Sequence, residues 1–350
     1  MIQHSAISVG RKEMQAVNKV LESQHISEGA QVKSFEHTIA RYLRLPYAAA
    51  VSSGTHALHC ALMAMGIQSG DQVIIPSYCC ASVFYAVMYT GAEPIIADIS
   101  LNDYNLSFKN VKKRINRKTK AIILPHMFGC PADMHLFLKA PVPVIEDCAQ
   151  AVGAKLYAKM AGGFGIVSVF SFYATKLMTC GEGGMVASHN RRYIDKVKDL
   201  RSCDKRKDLH LRFNYKMTDF QAAMGQVQLS RLRGFIHKRQ RIAAFYTQAF
   251  KELKTLILPK KHEQREHVFF RYIIRTDKNI ETCIAQYRAA GIKAVKPIEI
   301  PLHRMLRLSP ADYPHAESAW KESISIPIYP ALRDQDVKKI IQTTEIIFGE

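Results

Sequence analysis

Residues 142–150 read Val-Pro-Val-Ile-Glu-Asp-Cys-Ala-Gln, an apolar run that stops abruptly at two carboxylates. A short apolar run bounded by turn residues predicts a strand over 142–146, buried on both faces. Strands buried on both faces belong to parallel sheets with helices packed above and below. The residues upstream repeat the pattern. Apolar runs at 121–125, 93–97, 72–76 and 47–51 read as strands, and residues 81–90 and 55–65 between them have helical spacing and length. Strand and helix in alternation predict an α/β fold: a three-layer α/β/α large domain on a mostly parallel sheet. Ligands of such sheets gather at the carboxyl ends of the strands, where Asp147 and Gln150 stand.

Downstream, residues 191–202 and 218–251 read as helices, the second long and rich in arginine and glutamine. A strand over 268–274, a helix over 280–290, a strand over 292–296 and a closing helix over 334–348 follow. They predict a smaller C-terminal α/β domain, with 1–245 forming the large domain and 246–350 the small one. A chain of 350 residues has the length for two such units.

The composition is that of an ordinary globular protein, 48% hydrophobic and 23% charged, with no low-complexity tract. No apolar run approaches the roughly 20 residues that span a bilayer, and residues 1–10 have neither a basic leader nor an apolar block. Eight cysteines, including the adjacent pair Cys79-Cys80, form neither a secreted disulfide framework nor the Cys-x-x-Cys spacing of a zinc site. The expectation is a cytoplasmic protein without a metal or a membrane partner. A formal charge of +19 raises anionic partners, with basic residues concentrated in 109–120 and 191–216. Those runs lack interleaved aromatics and any nucleic-acid-binding motif, which favours phosphate-bearing small molecules over nucleic acid.

Three segments carry chemistry. Ser52-Ser53-Gly54-Thr55-His56 joins a strand to a helix, and free N–H groups at a helix start suit a phosphate; Ser-Gly-Thr is equally an ordinary helix cap. Asp147, at the carboxyl end of a buried strand, is costly to bury without a cation. A protonated pyridine nitrogen would serve, as would a capping role on the next turn. In Ser168–Lys176 a strand runs out into Ser171, Lys176 follows five residues later, and Gly181-Glu182-Gly183-Gly184 comes next. A lysine in an apolar, partly desolvated setting loses its proton near neutrality and becomes nucleophilic. Each segment alone has a bland reading, but their order along one sheet points to a single site.

These segments identify a resemblance to the DegT/StrS-type sugar aminotransferases, a branch of the fold type I pyridoxal-phosphate enzymes. It covers nearly the whole chain: SSGTHAL (52–58), SGDQVIIPSY (69–78), EDCAQAVGA (146–154), FSFYATKLMTCGEGG (170–184), NYKMTDFQAAMGQVQLSRL (214–232) and SISIPIYPAL (323–332). The resemblance implies that Lys176 holds pyridoxal 5'-phosphate as a Schiff base and shuttles protons, with Asp147 beside the pyridine nitrogen. It places Gln150 near the ring oxygen, and Gly54, Thr55, the backbone of His56, and Ser171 around the phosphate. Asn214 matches an asparagine that reaches the phosphate from a neighbouring subunit, which implies a homodimer with a shared site.

Three positions depart from the family pattern. Cys80 stands where an aromatic residue often stacks on the cofactor ring, so either Cys80 packs there or Tyr78 moves in. Lys216 replaces a common arginine. Ser23-Gln24-His25 replaces a Ser-Gly-Trp turn that tends to lie near substrate. The implied reaction moves an amino group from L-glutamate to a nucleotide-linked keto sugar, with Lys216 and His303 as candidate substrate contacts. The alternatives are a sugar dehydratase, in which histidine replaces the lysine, an aminotransferase for a non-sugar ketone, and a non-enzymatic basic regulatory protein on the same scaffold.

Overall fold

The computed structural model describes residues 1–204 and 206–349; Lys205, inside the basic run 191–216, and Glu350 lie outside the described residues. A seven-stranded sheet runs in the order Tyr47–Val51, Gly184–Ser188, Val167–Ser171, Val144–Asp147, Thr119–Pro125, Gln72–Pro76, Glu93–Ala97. Pairs from Val167–Ser171 to Glu93–Ala97 are parallel, whereas Gly184–Ser188 is antiparallel to both its neighbours. The loop 172–183, which carries Lys176, contains no helix to take the chain across a face of the sheet, so the strand returns antiparallel.

Three expected strands, 47–51, 72–76 and 93–97, form over those residues, and those at 121–125 and 142–146 shift by one or two. Alternate side chains of each strand feed opposite cores. Ile75, Ile123, Val169 and Val186 pack on one face with Leu58. Phe170 and Met185 pack on the other with Phe35 and Leu232. The Gly54–Ala64 helix starts where Ser53 Oγ accepts the His56 N–H at 3.1 Å, a side-chain cap worth about 1 kcal/mol.

Two helices that the sequence reading did not anticipate, Arg11–Glu22 and Ala30–Leu43, lean on the long helix Asp219–Phe250. The second is capped from afar: Asp219 accepts the N–H groups of Gly29, Gln31 and Val32 at 2.8, 3.2 and 2.9 Å. A cap from 190 residues away leaves no local signal.

The long helix joins two cores. Leu229 and Leu232 serve the sheet, while Tyr246 and Phe250 serve a second core with Tyr272, Tyr287, Ile324 and Phe348. Burying Phe250 completely contributes on the order of 2–3 kcal/mol. This second core sits on an antiparallel sheet of Leu256–Ile257, Tyr272–Thr276 and Ser323–Ile326, and Ile2 bridges to Ile292 beside it.

Two expectations change here. Residues 292–296 make only isolated bridges, because Ile292 pairs with Ile2 and Val295 with Ser325, and changing partners midway leaves no ladder. The expected strand at 268–274 begins at Tyr272. Residues 268–271 are drawn to the large unit instead, with Val268 and Arg271 donating to Gly129 and Phe128 carbonyls at 3.1 and 3.3 Å. Among the described residues no helix is long and apolar enough to cross a membrane.

Candidate active site

A cavity of about 310 Å³ opens at the carboxyl ends of Val144–Asp147 and Val167–Ser171 and at the start of the Gly54–Ala64 helix. Gly54, Thr55, Cys80, Asp147, Gln150, Ser171 and Lys176 all line it. Residues from five separated segments therefore meet in one space, the arrangement expected of an open α/β sheet.

The cradle at the helix start depends on close approach. A Cβ on Gly54 would lie 2.7 Å from Ser171 Cβ, so only glycine lets the turn and the serine share this wall. Ser53 Oγ and carbonyl take the N–H groups of His56 and Ala57. The N–H groups of Gly54 and Thr55 have no hydrogen-bond partner among the described residues, leaving two donors and a helix N-terminus beside the Ser171 hydroxyl.

Asp147 and Glu146 end the same strand but have opposite surroundings. Glu146 is fully buried and accepts from His126 Nε2 at 3.0 Å and from the N–H groups of Gly162, Phe164 and Gly165 at 2.8, 2.6 and 2.6 Å. Burial pushes its carboxyl up, but the His126 hydrogen bond and the backbone donors outweigh it and hold it below the usual range. Because Ala132 N–H donates to His126 Nδ1 at 3.0 Å, the imidazole proton sits on Nε2, facing Glu146. His126, Glu146 and Cys148 bring ligand-type atoms within 4.8 Å of one another. The carboxylate already accepts four donors, and the facing imidazole nitrogen carries its proton, so this set is a closed hydrogen-bond network.

Asp147 is 7% exposed, and among the described residues its carboxylate accepts only the Ala149 N–H, at 2.9 Å. Burial raises its pKa; the Ala149 donor and the charges of Lys176 and His126 oppose this without cancelling it. A buried carboxylate so thinly satisfied is receptive to a cation. Lys176 is displaced in the complementary direction. Burial pulls its ammonium below the ordinary lysine range, Asp147 and Cys80 oppose, and Arg271 adds to the fall. Its Nζ lies 5.3 Å from the centre of the Phe270 ring. Its amine is thereby moved toward the nucleophilic form. The loop 126–130 is tied to the turn that follows Val144–Asp147: His126 N–H donates to the Asp147 carbonyl at 3.0 Å, and Phe128 N–H to Gln150 Oε1 at 2.8 Å.

Of the two groups weighed for the ring face, Cys80 is exposed and lines the cavity, its Sγ 3.3 Å from Ser82 Oγ. Tyr78 is fully buried and turned toward the Ala319 carbonyl, at 3.4 Å, so it does not move in. His56 stacks on Tyr215 with ring centres 3.6 Å apart, and Tyr215 stacks on Phe213 at 4.7 Å. These rings pin the loop while Asn214 between them is exposed and outside this chain's cavity. Lys216 also lies outside it and pairs with Asp204.

His303 does not reach the site. It is fully buried, one nitrogen 2.5 Å from Ser77 Oγ and the other 2.7 Å from Glu317, and it stacks on Tyr313. The expected substrate contact is a structural bracket, because both polar atoms are spent. The turn Ser23-Gln24-His25 lines a separate open groove against the long helix. Sequence reading missed His126, Phe270 and Arg271, which stand in no motif with the lysine.

From residue 8 to residue 345 the chain matches the DegT/DnrJ/EryC1/StrS aminotransferase family. It is 33% identical over 360 residues to the GDP-perosamine synthase of Escherichia coli O157:H7, covering 98% of this chain and 97% of that one. It is 31% identical over 376 residues to the spore coat polysaccharide biosynthesis protein SpsC of Bacillus subtilis, covering 99% and 97%. The crystal structure of S. venezuelae DesV in complex with a ketimine intermediate superimposes with a TM-score of 0.90 at 29% identity, covering 97% and 94%. A lysine, a receptive carboxylate and a phosphate-type cradle in one cavity suit pyridoxal phosphate, the cofactor of these enzymes. The chain belongs to the DegT/DnrJ/EryC1/StrS aminotransferase family.

Proposed function

We propose that this protein transfers an amino group from L-glutamate to a nucleotide-linked keto sugar. The observation that carries the reading is the meeting of Lys176, Asp147 and the Gly54–Ser171 cradle in one cavity of about 310 Å³. The 33% identity to a GDP-perosamine synthase supports the substrate class.

When bound, pyridoxal phosphate supplies an electron sink conjugated to the reacting amine. Ser171 and the N–H groups of Gly54 and Thr55 would hold the phosphate, whereas the His56 N–H, expected to join them, is taken by Ser53 Oγ and only shapes the turn. Asp147 would serve as counter-ion to the ring nitrogen and Gln150, its Oε1 fixed by Phe128, would face the ring oxygen. Cys80 would pack on the ring face. Lys176 would carry the cofactor, and its amine, moved toward the neutral form by burial, would take and return the proton at the substrate carbon. Lys176 is present where the dehydratase alternative has histidine, which favours transamination.

The working unit is a homodimer with shared sites, in which Asn214 of one protomer reaches the phosphate of the other and Lys216 lies beside it. The pinned loop with an outward Asn214 supports this reading. The protein acts in the cytoplasm, and the boundary between its two domains falls near residue 245; the long helix supports this reading, since its Ile236 belongs to one core and its Ile242 to the other.

The first test is the absorbance spectrum of the cofactor-loaded protein before and after adding L-glutamate. Bleaching of the cofactor band by the donor, with borohydride leaving the cofactor on the Lys176 peptide, supports transamination. A band that no amino donor changes overturns it. Lys176→Ala and Asn214→Ala are each inactive alone; mixing them restores activity if the sites are shared, and continued inactivity of the mixed dimer refutes sharing.

A further inference from the structure

Where the loop 126–130 meets the second unit, a small chamber of about 30 Å³ is bounded by Tyr104, Phe128, Cys130, Lys260, His262 and Arg271. It shares Cys130, Lys260, His262 and His267 with an open groove of about 1040 Å³. Neither space includes Lys176 or Asp147. Two polar atoms of the chamber wall, Arg271 Nη1 and His262 Nε2, are buried and have no hydrogen-bond partner among the described residues. A buried donor left unpaired is costly, and two around one small space point to something that occupies it.

Charge says what kind of occupant fits. Arg271 forms no ion pair with any described carboxylate, and its guanidinium carbon lies 5.8 Å from the centre of the Phe270 ring. Six cationic side chains and three carboxylates line the chamber and groove together. Two of those carboxylates are already paired, Asp103 with Arg265 at 2.5 Å and Glu266 with Lys155 at 2.8 Å. Arg44, Lys260, Lys261 and Arg271 are left against Glu263 alone. A water would satisfy Nη1 but leave this positive excess uncompensated; an oxyanion answers both, and a guanidinium fork matches its geometry.

We propose that chamber and groove form a second anion site, which seats a phosphate group on Arg271 and His262 with Lys260 at its mouth. The chamber admits the leading oxygens of the phosphate, while the groove, flanked by Phe269 and Tyr157, has room for what the phosphate is attached to. The ligand is inorganic phosphate or the phosphate of a nucleotide, and it binds beside the catalytic cavity, across the shared wall of Met127, in a space that excludes Lys176 and Asp147.

The test is calorimetric titration of inorganic phosphate into the cofactor-loaded protein, whose catalytic phosphate cradle is already filled, at constant ionic strength. The expected result is saturable binding that weakens about tenfold or more in Arg271→Met. The exposed Lys260→Glu change is expected to weaken it several-fold even where Arg271→Met fails to fold. Displacement of bound phosphate by a nucleoside diphosphate assigns the site to nucleotides; failure to displace assigns it to the free ion. Absence of saturable binding, affinity unchanged in the folded variants, or a tungstate-soaked crystal with only water at Arg271 overturns the proposal.

Discussion

Replacing Glu146 by glutamine keeps the shape of the side chain and exchanges one oxygen for an amide NH2. Each carboxylate oxygen accepts two donors: Oε1 takes Phe164 and Gly165, and Oε2 takes His126 and Gly162. Whichever way the amide turns, its NH2 group faces two N–H groups. His126 cannot relieve the conflict by moving its proton to Nδ1, since that nitrogen accepts the Ala132 N–H. Two charge-assisted bonds are lost, at about 1.5–3 kcal/mol each, or about 3–6 kcal/mol in all. With an unfolding entropy of about 2 cal/mol/K per residue, a chain of this size loses about 4–8 °C in Tm.

The effect carries a pH signature. The folded carboxyl lies below its unfolded value of about 4.3, so its stabilisation is present above that pH and is lost as pH falls through the folded value. Scanning calorimetry of cofactor-free wild type and Glu146→Gln should therefore show a constant gap between pH 6 and 8 that narrows in acid below about pH 4. A variant that melts within about 1 °C of wild type at neutral pH refutes the network as drawn.

Other outcomes follow from the same geometry. Gly54→Ala places a Cβ 2.7 Å from Ser171 Cβ and should weaken cofactor binding by about 1–3 kcal/mol, read by absorbance titration; unchanged affinity would mean the cradle is not there. Iodoacetamide should label the exposed thiols of Cys80 and Cys203 first, and loading with pyridoxal phosphate should protect Cys80 alone; equal protection of both, by peptide mass spectrometry, argues against Cys80 on the ring. Lys176→Met should raise the Tm of the cofactor-free protein by about 1–3 °C, because a half-buried, partly desolvated ammonium is removed. The gap should shrink as pH rises toward 10, since the unfolded lysine binds more protons than the folded one and wild type gains stability there. A gap that widens with pH would contradict the depressed lysine.

The share of this protein legible in its sequence is the part that local chemistry decides. A run such as 73–76 is apolar because both faces are covered, and at that length, bounded by turn residues, it reads as a strand. Gly54, Asp147, Ser171 and Lys176 were legible because each stands at a strand end or in the loop that follows, and all strand ends of a parallel sheet face one side. The helix pair at 11–43 was less legible, since its second member is capped by Asp219, a partner that only folding brings near. Tertiary structure alone decided that Tyr78 points away from the cavity while Cys80 lines it. A strand's exit turn can send successive side chains to opposite sides, and nothing local says which.

It also moved His303 from a loop candidate to a closed bracket between Ser77 and Glu317, residues 226 positions upstream and 14 downstream. The orphan guanidinium of Arg271 belongs to the same class. Being without a partner is a property of everything around a side chain, and a sequence lists the side chain but not its surroundings.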